Sequence, residues 1–247
     1  MDAATYLDDL ETEGSRLGTA ARSAGIDAAV PACPGWRVAD LLVHTAKVFR
    51  HKTHVLERRL LERPAGGDWN VDDPAPSAAA DFYDAELAAL LAALRGADPV
   101  ERVWTFVPDD QTVGFWCRRM AQEAVVHRVD AEAAGGSPGP VRPELAVDGI
   151  DEALDVFLTP RLAAGALDGP PATVHLHATD AVGEWLVHLA PDELRVERSH
   201  AKGDAAARGT ASDLLLWLWG RVPLDDLEVF GDVAALTRLR VAAATVT

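Results

Sequence analysis

The sequence predicts a two-domain α+β protein, with an antiparallel four-helix bundle over residues 1–135 and a small α+β domain over residues 142–247. In the first half, four segments carry apolar residues at helical intervals and are joined by one long and several short connections. Residues 134–143 (AGGSPGPVRP) then form the clearest linker in the chain. Beyond the linker, strand-like runs are mixed with helical segments, which indicates a sheet covered by helices.

The bundle helices are predicted from apolar periodicity and from the turns between them. The loop PAGGDWNVDDPAPS at 64–77 is the longest connection, and Ser77 at its end is expected to cap the third helix. Trp69 in this loop either pins the loop to the bundle or forms a wall of a substrate cavity. The four helices are predicted over residues 3–24, from Trp36 onward, over 77–95 and over 115–134.

The second domain is predicted to combine helices with strands that meet in hairpins. His175 and His177 alternate on its first strand and His188 lies on the next. This pattern suggests a second metal site, but it is more typical of solvent-facing histidines. The elements are predicted as a helix at 143–165, strands at 172–180, 183–190 and 193–200, a helix at 211–220, a turn and short strand at 222–230, and a helix at 232–243.

The composition argues against several classes of function. The 247-residue chain has 39 acidic and 23 basic residues and a net charge of −16, so it should repel nucleic acids and anionic membranes. Its two cysteines, Cys33 and Cys117, do not fit a disulfide framework. The N-terminus lacks the segments of a signal peptide, and the strongly apolar run at 214–219 is too short to cross a bilayer. A cytoplasmic monomer or homodimer is therefore expected.

The candidate chemistry centres on Glu123 and His127 of the fourth helix. Residues four apart share one helix face, so both side chains project beside apolar positions that face the core. A carboxylate there needs a partner, which is either a hydrogen-bonded histidine or a divalent metal. His44 lies on or beside the buried face of the second helix, and it can approach this pair if the second and fourth helices face each other.

Two histidines and one carboxylate would leave metal positions open, which is the catalytic pattern for zinc and also fits non-haem Fe(II). An open zinc lowers the pKa of a bound water or thiol. Neither Cys33 nor Cys117 is required as a nucleophile, since Cys117 lies nearly two helical turns from Glu123. Asp130 is expected to be a helix-surface acid or an ion-pair partner of Arg128, with support of a metal-binding histidine as the alternative.

Two motifs stand out from the rest of the first domain, CPGWRVADLLVH at 33–44 and FWCRRMAQEAVVHRVDAE at 115–132. In this order and spacing they resemble the mycothiol-dependent maleylpyruvate isomerase family. The resemblance implies a DinB-like four-helix bundle in which His44, Glu123 and His127 bind a divalent metal, usually zinc. It also implies mycothiol as a thiol cosubstrate.

A third motif, RGTASDLLLWLWGR at 208–221, is similar to the small C-terminal domain of the same family, which is related in shape to sterol-carrier proteins. The resemblance implies an arginine in this domain that holds the carboxylate of the substrate. Arg221 is the first candidate and Arg208 the second, although an arginine that ends a helix can simply complement the helix dipole. The bidentate grip of an arginine suits a carboxylate.

The first functional hypothesis is therefore a zinc-dependent isomerase or S-transferase, in which mycothiol attacks a small electrophilic substrate. Two alternatives stay open. One is a non-enzymatic or regulatory metal-binding protein, and the other is a metal-dependent hydrolase that uses no thiol.

Overall fold

The protein folds into two compact units, Met1–Gly139 and Pro140–Thr247. The first is a helical bundle and the second a small sheet with helices, so the predicted α+β fold class is confirmed. None of the described helices combines the length and the apolar content that a bilayer crossing requires. The computed structural model describes residues 1–65, 69–159, 169–191 and 193–244.

Four helices form the first unit: α1 (Ala3–Ala24), α2 (Val38–Glu57), α3 (Ala79–Arg95) and α4 (Val113–Ala134). α1 packs along α4 and α2 along α3, while α2 also contacts α4. Side-chain caps fix two of the helix starts. Asp2 accepts a hydrogen bond from the backbone N of Thr5 at 2.8 Å, and Thr112 accepts one from the backbone N of Phe115 at 3.2 Å.

Ser77 does not cap α3, so that prediction is wrong. Ser77 lies inside a 3₁₀ turn, Pro76–Ala78, and the helix begins at Ala79 with an alanine in the cap position. Pro76 accounts for the difference, because its fixed φ favours the first position of a helical turn.

A buried ionic cluster joins α1 to α4. Arg128 is fully buried on α4 and donates from Nε to Glu13 of α1 at 2.7 Å and from Nη1 to Glu132 at 2.8 Å. Its Nη1 also donates to the carbonyl oxygen of Gly139 at 2.6 Å. A buried charge of this kind is tolerated only when it is fully paired, so the cluster fixes how α4 is placed in the bundle.

A five-stranded sheet forms the second unit, in the order β3-β2-β1-β4-β5. β1 and β4 are parallel and the other neighbouring pairs are antiparallel. The strands are β1 (Ala172–Ala178), β2 (Glu184–Ala190), β3 (Glu193–Glu197), β4 (Ala205–Gly209) and β5 (Glu228–Gly231). The helices among the described residues of this unit are α5 (Pro143–Glu152), which continues as a π-helical turn over Ala153–Leu158, α6 (Ala211–Leu218) and α7 (Val233–Ala244).

Three details of the second unit differ from the prediction. β4 was not expected, because its sequence AAARG has none of the β-branched or aromatic residues that favour strands. β3 ends at Glu197, so His200 lies in the segment between β3 and β4 and not on a strand. The helix expected at 143–165 changes to a π-helical turn after Glu152, and its last part falls at 160–168, outside the described residues.

Candidate metal centre

His44 of α2 and the Glu123–His127 pair of α4 come together in the first unit. One donor atom from each residue lies within 4.8 Å of the other two. Oε1 of Glu123 is 3.3 Å from Nε2 of His127 and 3.7 Å from Nε2 of His44. The Nε2 atoms of His127 and His44 therefore face the same oxygen of Glu123. The four-residue spacing on α4 and the contact of α2 with α4 had suggested this arrangement.

The capped first turn of α2 sets the position of His44, which lies one turn further along the helix. Asp40 accepts a hydrogen bond from the backbone N of Arg37 at 2.8 Å, which completes a capping box at the first turn. The ring of Trp36 lies just before this turn, and its centroid is 4.9 Å from that of His44. The side chain of His44 is 41% exposed, so this ligand candidate stands at the open side of the site.

Arg119 determines which oxygen of Glu123 faces the histidines. It is buried one helical turn before Glu123 and donates from Nη2 to Oε2 at 2.7 Å. Burial alone would raise the pKa of Glu123, but the adjacent imidazoles of His127 and His44 and the charge of Arg119 hold the pKa of Glu123 well below its usual value. The carboxylate is therefore charged, with Oε1 directed towards the two imidazoles.

Asp130 contacts the ring nitrogen of His127 that lies away from Glu123. It is fully buried, and its Oδ2 accepts a hydrogen bond from Nδ1 of His127 at 2.9 Å. The expectation of a surface acid at this position is wrong, because one helical turn brings Asp130 back under His127. Burial lowers the pKa of His127, but Asp130 and Glu123 outweigh it and raise that pKa to about 9. A carboxylate behind an imidazole is the usual arrangement for a metal-binding histidine.

A cavity of about 830 Å³ lies nearby in the same unit and is lined by His51, Lys52, Arg63, Trp69 and Trp104 together with neighbouring loop residues. Trp69 thus forms part of a cavity wall, and its ring also packs edge-on against His51 at 4.5 Å. Burial is the main cause that lowers the pKa of Lys52 to about 8, and the charges of Glu123 and Arg119 act on Lys52 as well. The cavity is therefore electrostatically coupled to the Glu123 site.

The two cysteines form no disulfide and lie in different environments. Cys117 is buried, and burial raises its pKa to about 11, so it is an inert core residue. Cys33 is half-buried, and its Sγ lies 3.9 Å from Oδ2 of Asp130.

The two arginine candidates of the second unit have different surroundings. Arg208 lies on β4 and donates to Glu228 of β5 at 3.1 Å. Arg221 follows α6 and donates to the carbonyl oxygen of Trp219. Burial, and then the charge of Arg221, lower the pKa of Arg240, so two guanidinium groups lie close together here.

The histidines of the sheet are arranged differently from the pattern seen in the sequence. His175 and His177 do lie together, but His188 instead lies 3.2 Å from Glu197 on β3. Glu184 and His200 join His175 and His177, so that four potential ligand atoms lie within 4.8 Å of one another. The β1–β2 register places Glu184 opposite His177, a pairing that could not be assigned before the strand ends were known.

Known proteins match both units. The profile of the mycothiol maleylpyruvate isomerase N-terminal domain matches residues 7–132, and that of the MDMPI C-terminal domain matches residues 144–238. Crystal structures of the mycothiol-dependent maleylpyruvate isomerase and of its histidine-to-alanine mutant resemble this chain with TM-scores of 0.65 and 0.66. Each is 13% identical in sequence, and the alignments cover 94% of this chain and 95% of theirs, which establishes a shared fold. No curated protein gives a significant sequence match.

Proposed function

The chain belongs to the mycothiol maleylpyruvate isomerase family, and from this premise we propose that it is a metal-dependent isomerase that uses mycothiol on a small electrophilic substrate such as maleylpyruvate. The observation that carries the proposal is the convergence of His44, Glu123 and His127, with the buried carboxylate of Asp130 behind His127. S-transfer to an electrophile is the alternative reaction of the same site.

The donor set fits a divalent metal. Two imidazole nitrogens and one carboxylate oxygen form a three-ligand group of the kind found in catalytic zinc sites, with Fe(II) as the second choice. His44, Glu123 and His127 would hold the ion and leave a coordination position for a thiol. When bound, the metal would lower the pKa of that thiol and so supply a nucleophile at neutral pH.

The surrounding residues orient these ligands and determine which of their atoms face the ion. Arg119 holds Oε2 of Glu123 and leaves Oε1 for the ion. Asp130 keeps a proton on Nδ1 of His127, so the lone pair of Nε2 points into the site once the second proton is lost. The exposed side of His44 provides the route by which a thiol reaches the centre.

We assign the cavity beside Lys52 and Arg63 to an anionic part of the substrate or of the thiol. Lys52 carries a positive charge below about pH 8, and Arg63 adds a second one to the cavity wall. Nε1 of Trp69 is buried and has no hydrogen-bond partner among the described residues. A ligand that accepts from this N–H would remove the penalty of an unsatisfied donor.

We further assign the metal chemistry to residues 1–135 and the grip on the substrate carboxylate to Arg221 in residues 142–247. The nearness of Arg240 supports this role, because two guanidinium groups attract an anion more strongly than one. Arg221→Ala should raise KM with little change in kcat, which is the signature of lost binding that is equal in the ground state and the transition state. Arg208→Ala is the matched control, since Arg208 is already paired with Glu228.

The test of the proposal is mycothiol binding and maleylpyruvate isomerisation by the zinc-loaded protein. Calorimetry should show mycothiol binding that His44→Ala abolishes and that His54→Ala, on the same helix, leaves intact. Zinc-loaded protein that binds no mycothiol would contradict the proposal and favour a hydrolase without a thiol. Mycothiol binding without turnover of any electrophile would favour a regulatory role. We place the reaction in the cytoplasm, where the thiols of Cys33 and Cys117 would stay reduced.

A further inference from the structure

The sheet of the second unit carries a cluster that the proposed reaction does not use. We propose that His175, His177, Glu184 and His200 form a second binding site for a divalent transition-metal ion of the zinc class. Imidazole nitrogens with one carboxylate suit Zn²⁺ and its neighbours in the first transition row and disfavour Mg²⁺ and Ca²⁺, which prefer oxygen ligands.

The donor atoms of the cluster converge on a single region. Nε2 of His175 is 3.0 Å from Oε2 of Glu184, and Nδ1 of His177 is 3.1 Å from Oε1. Nδ1 of His200 is 2.6 Å from Oε2 of the same carboxylate. Three imidazoles thus surround one carboxylate, and each offers a ring nitrogen to the space between them.

The spacing of the rings is close to what a metal requires. The three imidazole centroids are 5.5, 6.0 and 6.2 Å apart. Zn–N bonds of about 2.0 Å in a tetrahedral site place imidazole centroids roughly 5 Å apart. A contraction of about 1 Å would therefore convert the hydrogen-bonded cluster into a coordination sphere, and the charged carboxylate keeps the ligands assembled before an ion arrives.

Strand geometry fixes two histidines and the glutamate. His175 and His177 are two residues apart on β1, so they point to the same face of the sheet. Glu184 is the partner of His177 in the antiparallel β1–β2 ladder, which brings their side chains together on that face. His175 is buried, and the other two are partly exposed.

The segment that carries His200 is held at both ends. At its start, Arg198 donates to Asp151 at 2.7 Å. At its end, Asp204 accepts hydrogen bonds from the backbone N and from Oγ1 of Thr173, both at 2.8 Å. His200 is therefore presented to the sheet by an anchored segment, which lowers the entropy cost of bringing in a fourth ligand.

Gly203 allows this segment to lie directly against β1. A Cβ at Gly203 would come within 2.7 Å of the carbonyl oxygen of Ala205 and 2.9 Å of that of Thr173. Any side chain would push the segment away from the sheet. A cavity of about 300 Å³, bordered by His175, His200 and Lys202, gives an ion access from solvent.

Four protein ligands would close the coordination sphere, as in structural zinc sites. The ion would join β1, β2 and the segment between β3 and β4 through one coordination sphere. The second site is thus expected to stabilise the second unit and not to take part in the chemistry of the first.

The experiment is metal stoichiometry by equilibrium dialysis against Zn²⁺ and elemental analysis, on the full-length chain without a histidine tag. Wild type should bind two ions per chain, and His200→Ala should bind one. The side chain of His200 is 79% exposed, so its removal leaves the core intact. Loss of this ligand should weaken zinc binding at the site by at least about 100-fold, the upper end of what loss of a supporting residue costs. His188→Ala, on the same sheet, is the control and should bind two ions.

The His44→Ala background separates this inference from the proposed function. In that background, one ion should remain and should be lost on adding His200→Ala. Complete loss of metal in His44→Ala alone would overturn the inference and leave the first site standing. Equal binding with and without His200 would also overturn the inference. One ion in wild type that survives His44→Ala and disappears with His200→Ala would support the inference and count against the first site.

Discussion

Replacing His44 should remove metal binding with less effect on folding than replacing Glu123 or His127. His44 is the exposed member of the three, with 41% of its side chain accessible, so His44→Ala should leave the stability of the metal-free protein nearly unchanged. Glu123 and His127 are largely buried and bonded to Arg119 and Asp130, so truncating either one would disturb the fold as well.

The expected size of the effect follows from linkage. Zinc at 100 times its Kd stabilises the folded protein by about 2.7 kcal/mol. If loss of one ligand weakens binding by about 100-fold, the same zinc concentration equals the new Kd and the stabilisation falls to about 0.4 kcal/mol. At roughly 3 °C per kcal/mol for a domain of this size, the zinc-induced rise in Tm should be about 8 °C in wild type and about 1 °C in His44→Ala.

The assay is thermal unfolding followed by circular dichroism, with and without zinc, with every variant made in the His200→Ala background so that the second candidate site does not contribute to the shift. His54→Ala is the matched control, because His54 lies on the same helix outside the donor group. Its zinc-induced shift should equal that of wild type. Equal shifts in wild type and His44→Ala would refute the assignment of His44 as a ligand.

Three further predictions concern the residues around the site. Asp130→Asn should weaken zinc binding by about 10- to 100-fold in a competition titration with a chelator, because the amide no longer supports His127 as a charged acceptor; unchanged affinity would contradict this role. The pKa of Lys52 is lowered from 10.5 to about 8, so the folded state binds fewer protons than the unfolded state between these values. Lys52→Met should therefore raise the free energy of unfolding by on the order of 3 kcal/mol below pH 8, and this gain should vanish above about pH 10.5. Urea titrations at several pH values measure it, and a gain independent of pH would show that the lowered pKa of Lys52 is not the cause. Cys117, whose pKa is raised to about 11, should resist iodoacetamide at pH 8 in the native protein while half-buried Cys33 reacts, and peptide mass spectrometry that finds equal labelling would contradict the inertness of Cys117.

The sequence was sufficient to predict the bundle and the placement of the candidate ligands. Glu123 and His127 needed only the helical repeat, and His44 needed only the assumption that α2 and α4 face each other. The surface position first expected for Asp130 is wrong, whereas the alternative, a contact with His127, agrees with the structure. One helical turn places Asp130 beneath His127, where a buried hydrogen bond compensates its charge.

The second unit was harder to predict, for reasons that lie in sheet pairing. The AAARG sequence of β4 becomes a strand because β1 and β5 pair with it on both sides, and no local preference indicates this. His200 and Glu184 are 16 residues apart in the chain, and their contact depends on the exact end of β3 and on the anchoring of the segment that follows it. Such contacts depend on register, which apolar alternation alone does not specify.

The most direct test of the account is a mycothiol titration of the cobalt-substituted protein, followed by visible absorption. The account predicts that mycothiol produces a cobalt–thiolate charge-transfer band in wild type and in His200→Ala, and that the band is absent in His44→Ala. Cobalt that binds at the His44, Glu123 and His127 site while mycothiol leaves its spectrum unchanged would contradict the claim that this centre activates a thiol.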